Sequence, residues 1–86
     1  MKKVEVTLYS RPGCHLCESA MTELQSLSQK LSDIAAIEIV EISITSDPTL
    51  EKKYSDYIPV ILINNEPHDF FAVKEERFTE AIKALS

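Results

Sequence analysis

Glycine occurs once in this chain of 86 residues and tryptophan not at all. Lysine and arginine never form a run longer than two, and no apolar stretch approaches the roughly 20 residues a membrane-spanning helix needs. Each shortage excludes something. With 1 Gly and 4 Pro, there is no flexible or low-complexity segment, and each of these residues marks a special backbone position. A formal net charge of −5 without a basic run leaves no footprint for phosphates, so nucleic acid is not an expected partner. A membrane span is not expected either. Met1-Lys2-Lys3 resembles the start of an export leader, but Glu5 and Thr7 interrupt the apolar region that should follow. The expectation is a cytoplasmic chain, where thiols stay reduced and a disulfide is more often transient than structural.

What is present is an ordinary globular balance, 44% hydrophobic and 27% charged. Residues 1–86 read as a single domain, expected as a monomer, that buries about 60–65% of its unfolded surface. The chain is organised around Tyr9-Ser10-Arg11-Pro12-Gly13-Cys14-His15-Leu16-Cys17. Its two cysteines, three positions apart, follow a strand-like segment and open a helical one. In a βαβ context that spacing reads as a thioredoxin-like redox pair. A helix start leaves N–H groups unpaired and carries partial positive charge, which suits a thiolate at Cys14. One turn later Cys17 returns to the same side, where it can attack a disulfide formed at Cys14. As a mere staple the pair closes too small a loop to remove much chain entropy.

Val4, Val6 and Leu8 alternate with polar neighbours and predict a strand that runs out at Ser10 to Gly13. Cys17, Ala20 or Met21, Leu24, Leu27 and Leu31 recur at helical spacing and predict a helix ending near Ser32-Asp33. This puts Cys17 on the buried stripe and Cys14 at the exposed tip. Ile37 to Ile44 reads as a strand parallel to the first, with Ile39-Val40 breaking the alternation, as a bulge or burial on both faces would. Ser46-Asp47-Pro48 signals a short helix that stops by Asp56. Pro59 to Ile63 predicts a third strand, Asn64-Asn65 a two-residue turn, and Glu66 to Ala72 an antiparallel edge strand, since Pro67 lacks a donor. Lys74 to Leu85 closes the chain as a helix without a good cap.

The order β-α-β-α-β-β-α around a four-stranded mixed sheet is what an α/β thioredoxin fold needs. Tyr9 to Cys17, Ser46-Asp47-Pro48 and Ile58-Pro59-Val60 with Ile61 to Asn64, taken together, resemble the small bacterial glutaredoxin-like proteins with a C-x-L-C motif. The resemblance spans nearly the whole chain. It implies a glutaredoxin-like dithiol–disulfide oxidoreductase in which Cys14 is the nucleophile and Cys17 the resolving thiol. It implies that Pro59 is a cis-proline beside the dithiol, with the Ile58 backbone pairing with a substrate peptide or glutathione. Arg11 stands where such proteins carry a basic residue for a glutathione carboxylate. No tightly bound cofactor is implied, glutathione being a co-substrate and a thiol reductant system the electron source.

Two departures bear on the substrate. Typical glutaredoxins carry a Gly-Gly pair after the hairpin, whereas this chain reads Pro67 to Lys74 without glycine, and the residues between the cysteines are His15-Leu16. A protein disulfide and a glutathione disulfide both stay open as substrates. So do two other classes of function. One is a carrier of iron–sulfur clusters or metal, in which two chains share a cluster through the first cysteine of each. A zinc site would have only Cys14, Cys17, His15 and His68 to draw on, so no metal ligands are assigned. The other is a redox-inert interaction module, whose Cys14 would titrate near the ordinary value of about 8.5. His15 either tunes the thiol or is an exposed side chain without a role. Tyr54 and Tyr57 are expected to pack the middle helix on the sheet, and Phe70-Phe71 to supply one core and one edge-strand side chain in preference to a substrate platform. Glu5 and Glu41 are expected on the surface.

Overall fold

In the computed structural model, which describes residues 2–86, period-two and helical segments alternate as their patterns require. The order is β1 (Lys3–Ser10), α1 (His15–Lys30), β2 (Ala36–Ser43), a 3-10 turn (Ile44–Ser46), α2 (Pro48–Tyr54), β3 (Val60–Ile63), β4 (Glu66–Phe70) and α3 (Glu75–Leu85). Met1, which belongs to the leader-like start and to the domain expected over 1–86, lies outside the described residues.

The four strands form one mixed sheet in the order β2-β1-β3-β4. β1 and β2 run parallel, while β3 is antiparallel to both β1 and β4. Both faces of the sheet are covered. On one, Val4, Val6 and Leu8 of β1 pack against Ala20, Leu24 and Leu27 of α1 and Phe78 and Ile82 of α3. On the other, Val60 and Leu62 of β3 meet Tyr54 of α2 and Ile44 of the 3-10 turn. Burying one such Leu stabilises by about 1.5–3 kcal/mol, so the two half-cores together hold the helices in place.

β2, an edge strand, is neither bulged nor buried on both faces. Its register runs unbroken from Lys3↔Ala36 to Ser10↔Ser43, so no bulge interrupts it. Ile37 and Ile39 pack on the α1/α3 core while Val40 points to the opposite face, where it stays exposed. α1 stops at Lys30, before the expected Ser32-Asp33, because Leu31 leaves helical geometry (φ −100°, ψ 13°) and turns the chain toward β2. Asn64 and Asn65 both take positive φ (50° and 69°), the pairing a type I′ hairpin demands. Asn64 also ties the hairpin to β1, donating its N–H to the Glu5 carbonyl at 2.8 Å and accepting from the Glu5 N–H at 3.0 Å. β4 is an edge strand, as Pro67 requires, and a register slip opposite Ile61/Leu62 leaves His68 as its extra residue. It ends at Phe70, short of the expected Ala72, because Phe71 swings to φ 71°.

Candidate active site

Arg11 to Cys14 is a turn that places a sulfur at the N-cap of α1, just before its first residue. The Cys14 N–H donates to the Arg11 carbonyl at 3.3 Å, with Pro12 and Gly13 between them. Gly13 has φ 77°, the conformation a type II turn asks of its third residue. A Cβ added there would meet nothing within 4 Å, so glycine is needed for its backbone freedom and not for space.

Cys14 then caps α1 with its own side chain. It holds extended geometry (φ −92°, ψ 107°), and its Sγ accepts the Cys17 N–H at 3.2 Å. The two sulfurs are joined as a disulfide, with the Cα atoms 5.2 Å apart. Cys14 is half-buried while Cys17 is only 2% exposed. One sulfur is therefore reachable from solvent and the other sheltered beneath it, the asymmetry that helical spacing implied.

The remaining expected site residues fall at the same end of the sheet or on its rim. The Ile58–Pro59 peptide is cis. Val60 pairs with Tyr9, and continuing that antiparallel register sets Pro59 across from Ser10, at the root of the cysteine turn. Pro59 is fully buried, and Ile58 is half-buried and outside the strand ladder. Arg11 is exposed, on the turn itself. His15 is nearly wholly exposed and its Nδ1 faces Glu18 Oε2 at 3.4 Å. His68 lies in another part of the molecule, against Phe78 on the β4/α3 side. Among the described residues no three His, Cys, Asp or Glu side chains are grouped to hold a metal ion.

Two aromatic expectations need correction. Tyr54 packs on the sheet as expected, stacked 5.1 Å from Tyr9, but Tyr57 lies beyond the end of α2 and is about half exposed. Phe70 and Phe71 are both exposed, so neither supplies the core. The reason is the same in each case. α2 is too short to carry Tyr57 over the sheet, and the bulge at His68 with the turn at Phe71 rotates that segment's rings outward.

The structure also shows a buried carboxylate that sequence reasoning did not single out. Asp69 accepts from Lys74 Nζ and Arg77 Nε, each at 3.1 Å, and from the Phe70 N–H at 3.2 Å. Burial pushes its carboxyl up, but the hydrogen bonds from Lys74 and Arg77 outweigh that and hold it below the usual carboxylate range. It anchors the loop between β4 and α3, whose Phe71 N–H donates to the Pro59 carbonyl at 2.7 Å. Only the spacing to Lys74 and Arg77 hinted at it. A smaller surprise is Glu41. It is exposed as expected, yet its Oε2 accepts from the buried Ser10 hydroxyl at 2.8 Å and so braces the strand end that leads into the turn.

A parallel β-α-β unit with a cysteine pair at its helix start, followed by a cis-proline hairpin, defines a thioredoxin-fold protein with a C-x-x-C pair. Within that class the chain belongs to the glutaredoxin-like family described as Glutaredoxin-like domain (DUF836), which it matches over residues 5–83. It is similar to an uncharacterized protein of Mycobacterium tuberculosis, 31% identical over 90% of this chain and 80% of that one. It is also similar to a thioredoxin of Methanocaldococcus jannaschii, 29% identical over 96% of each. Among solved structures, a Nitrosomonas europaea protein superposes with a TM-score of 0.79 at 24% identity, covering 94% of this chain and 93% of that one.

Proposed function

We propose that this protein is a dithiol–disulfide oxidoreductase. The observation that carries the reading is the half-buried Cys14 sulfur at the start of α1, joined to a buried Cys17 that lies within its reach. In the reduced form the Cys17 N–H and the helix dipole favour negative charge on the Cys14 sulfur. The Cys14 thiolate attacks one sulfur of a substrate disulfide. A mixed disulfide forms, and the other substrate sulfur leaves as a thiolate that takes a proton from water. Cys17, losing its proton, then attacks the Cys14 sulfur, and the second substrate thiol departs. The substrate has gained two electrons and the protein holds the Cys14–Cys17 bond. A thiol reductant, glutathione or a reduced dithiol protein, returns the electrons.

Pro59 and Ile58 bound the approach to Cys14, where an extended substrate backbone lies against Ile58, and Arg11 offers a cation to a carboxylate. His15 at the same helix start adds positive charge when protonated. The protein works as a monomer in the cytoplasm and needs no bound cofactor. Among the described residues no helix is long and apolar enough to cross a membrane.

Trapping tests this. In the Cys17→Ser variant the mixed disulfide on Cys14 has no internal resolving thiol and accumulates. Intact-mass measurement after incubation with disulfide substrates should show one adduct per chain, absent from Cys14→Ser. Failure of the reduced wild type to react with any disulfide would overturn the proposal.

A further inference from the structure

Four large apolar side chains left out of the core lie beside the cysteine turn: Leu16 (59% exposed), Tyr57 (49%), Phe70 (36%) and Phe71 (51%). They are contiguous. The Tyr57 ring is 5.8 Å from that of Phe70 and 6.4 Å from that of Phe71. Phe71 and Leu16 in turn line one notch of about 150 Å³, closed by Ala72 and Val73 on one side and by Ser19 and Glu23 of α1 on the other. Aromatic surface grouped in this way marks an interaction site.

The location of the patch decides what covers it. Leu16 stands between the two cysteines in the chain, and the Phe71 N–H is bonded to the Pro59 carbonyl. The notch thus joins the start of α1 to the loop between β4 and α3. Beside the apolar walls of the notch stand carboxylates. Glu23 lines its wall, and His15, Glu18, Ser19, Thr22 and Glu23 line the adjoining surface of α1, where Glu18 faces His15. No Lys or Arg lines either recess. The backbone at Phe71 is also held on both sides. Its φ of 71° is one an aromatic residue rarely adopts, and it persists because the Pro59 bond and the Asp69–Lys74 pair hold the loop from both ends.

Resting on the exchange reaction above, we infer that the substrate is a disulfide in a polypeptide whose cysteine is flanked by an aromatic or branched aliphatic residue and then by Lys or Arg. The apolar side chain enters between Leu16 and Phe71, and the cation faces Glu23. Glutathione has no large apolar side chain to fill the notch. The dithiol supplies both electrons to the polypeptide disulfide, which leaves as two thiols, and a dithiol reductant restores the protein.

The test uses the reduced full-length protein and rapid-mixing kinetics on three disulfides of similar reactivity. One is a peptide with Phe and Lys beside its cysteine, one a matched peptide with Ser and Glu, and one oxidised glutathione. A small uncharged aliphatic disulfide serves as the reference. The Phe/Lys peptide should react about tenfold faster than the other two, as one docked ring and one partly screened ion pair allow. Phe71→Gly, which suits the backbone at that position, should lower the ratio about threefold or more, and Leu16→Ser should do the same from the opposite wall. Glu23→Gln, or high salt, should shrink the Lys-against-Glu part alone. Equal rates for the two peptides, or a ratio that Phe71→Gly leaves unmoved, overturns this inference while the reference reaction still supports exchange chemistry. If the reference disulfide is not reduced either, the exchange reading itself falls.

Discussion

The starts of α1 and α2 follow one plan with different atoms. At α2, Asp47 is extended and its Oδ1 accepts the Thr49 N–H at 2.9 Å, with Pro48 at the first helical position. At α1, Cys14 is extended and its sulfur accepts the Cys17 N–H at 3.2 Å. Aspartate is among the best caps known, whereas sulfur is a weak acceptor. Position 14 thus gives up cap strength for a nucleophile, and the helix is kept by burial of Leu24 and Leu27 instead. The start of α3 takes a third course. Lys74 makes no capping bond there, and Asp69 on β4 holds Lys74 and Arg77 in its place.

The sharpest way to break the comparison is to give α1 the cap it lacks. Cys14→Ser should lower disulfide exchange by at least about a thousandfold, since a hydroxyl is no nucleophile at neutral pH. The same change should leave the fold as stable as the reduced wild type or raise its stability by up to about 1 kcal/mol, because Ser is the better cap. Thermal melts under reducing conditions, read beside the kinetics, check both halves. Asp47→Ala should do the reverse, costing about 1 kcal/mol while exchange rates stay within roughly twofold.

Gly13→Ala should cost about 1–2 kcal/mol, the penalty for an L-residue forced into left-handed geometry, and so lower the melting temperature by about 4–8 °C per kcal/mol. Asp69→Asn, measured by denaturant titration, should cost about 1–2 kcal/mol. That figure is kept modest because Lys74 and Arg77 are more than half exposed and regain water. A melting temperature unchanged in Asp69→Asn would show that α3 is held by its apolar face alone.

The smallest effect is on pH. Burial lowers the pKa of His68 from 6.5, against the pull of Asp69, and Arg77 and Lys74 push the same way. Asp69 is lowered from 3.8. In both cases the unfolded chain takes up protons first on acidification. The stability involved is therefore present above these values and lost as pH falls, for His68 below about 6.5 and for Asp69 only in stronger acid. Melting temperature should drop between pH 7.5 and 5.5, and His68→Gln should flatten that drop. The buried His68 Nε2, which has no hydrogen-bond partner among the described residues, makes the neutral ring the form that fits.

Much of this molecule is legible in residue order because the signals are local. The alternation in Val4 to Leu8, the stripe from Cys17 to Leu27, Asp47-Pro48 and Asn64-Asn65 each name a backbone geometry within a few residues. The cysteine spacing places one sulfur over the other by helical pitch alone. The outward turn of Tyr57, Phe70 and Phe71 had no such signal. Aromatic residues are core residues by default, and their exposure follows from a bulge and a left-handed residue that nothing nearby in sequence demands.

By itself, then, the sequence determined the strands and helices, their order and the presence of a paired thiol at a helix start, since capping, turn and periodicity rules act between near neighbours. Tertiary structure alone decided that Asp69 would be buried beneath Lys74 and Arg77, that Ser10 would lean on Glu41, and that Phe71 would line one notch with Leu16. Those contacts join residues distant along the chain, and they exist only once the sheet register and the docking of α1 and α3 have brought their elements together.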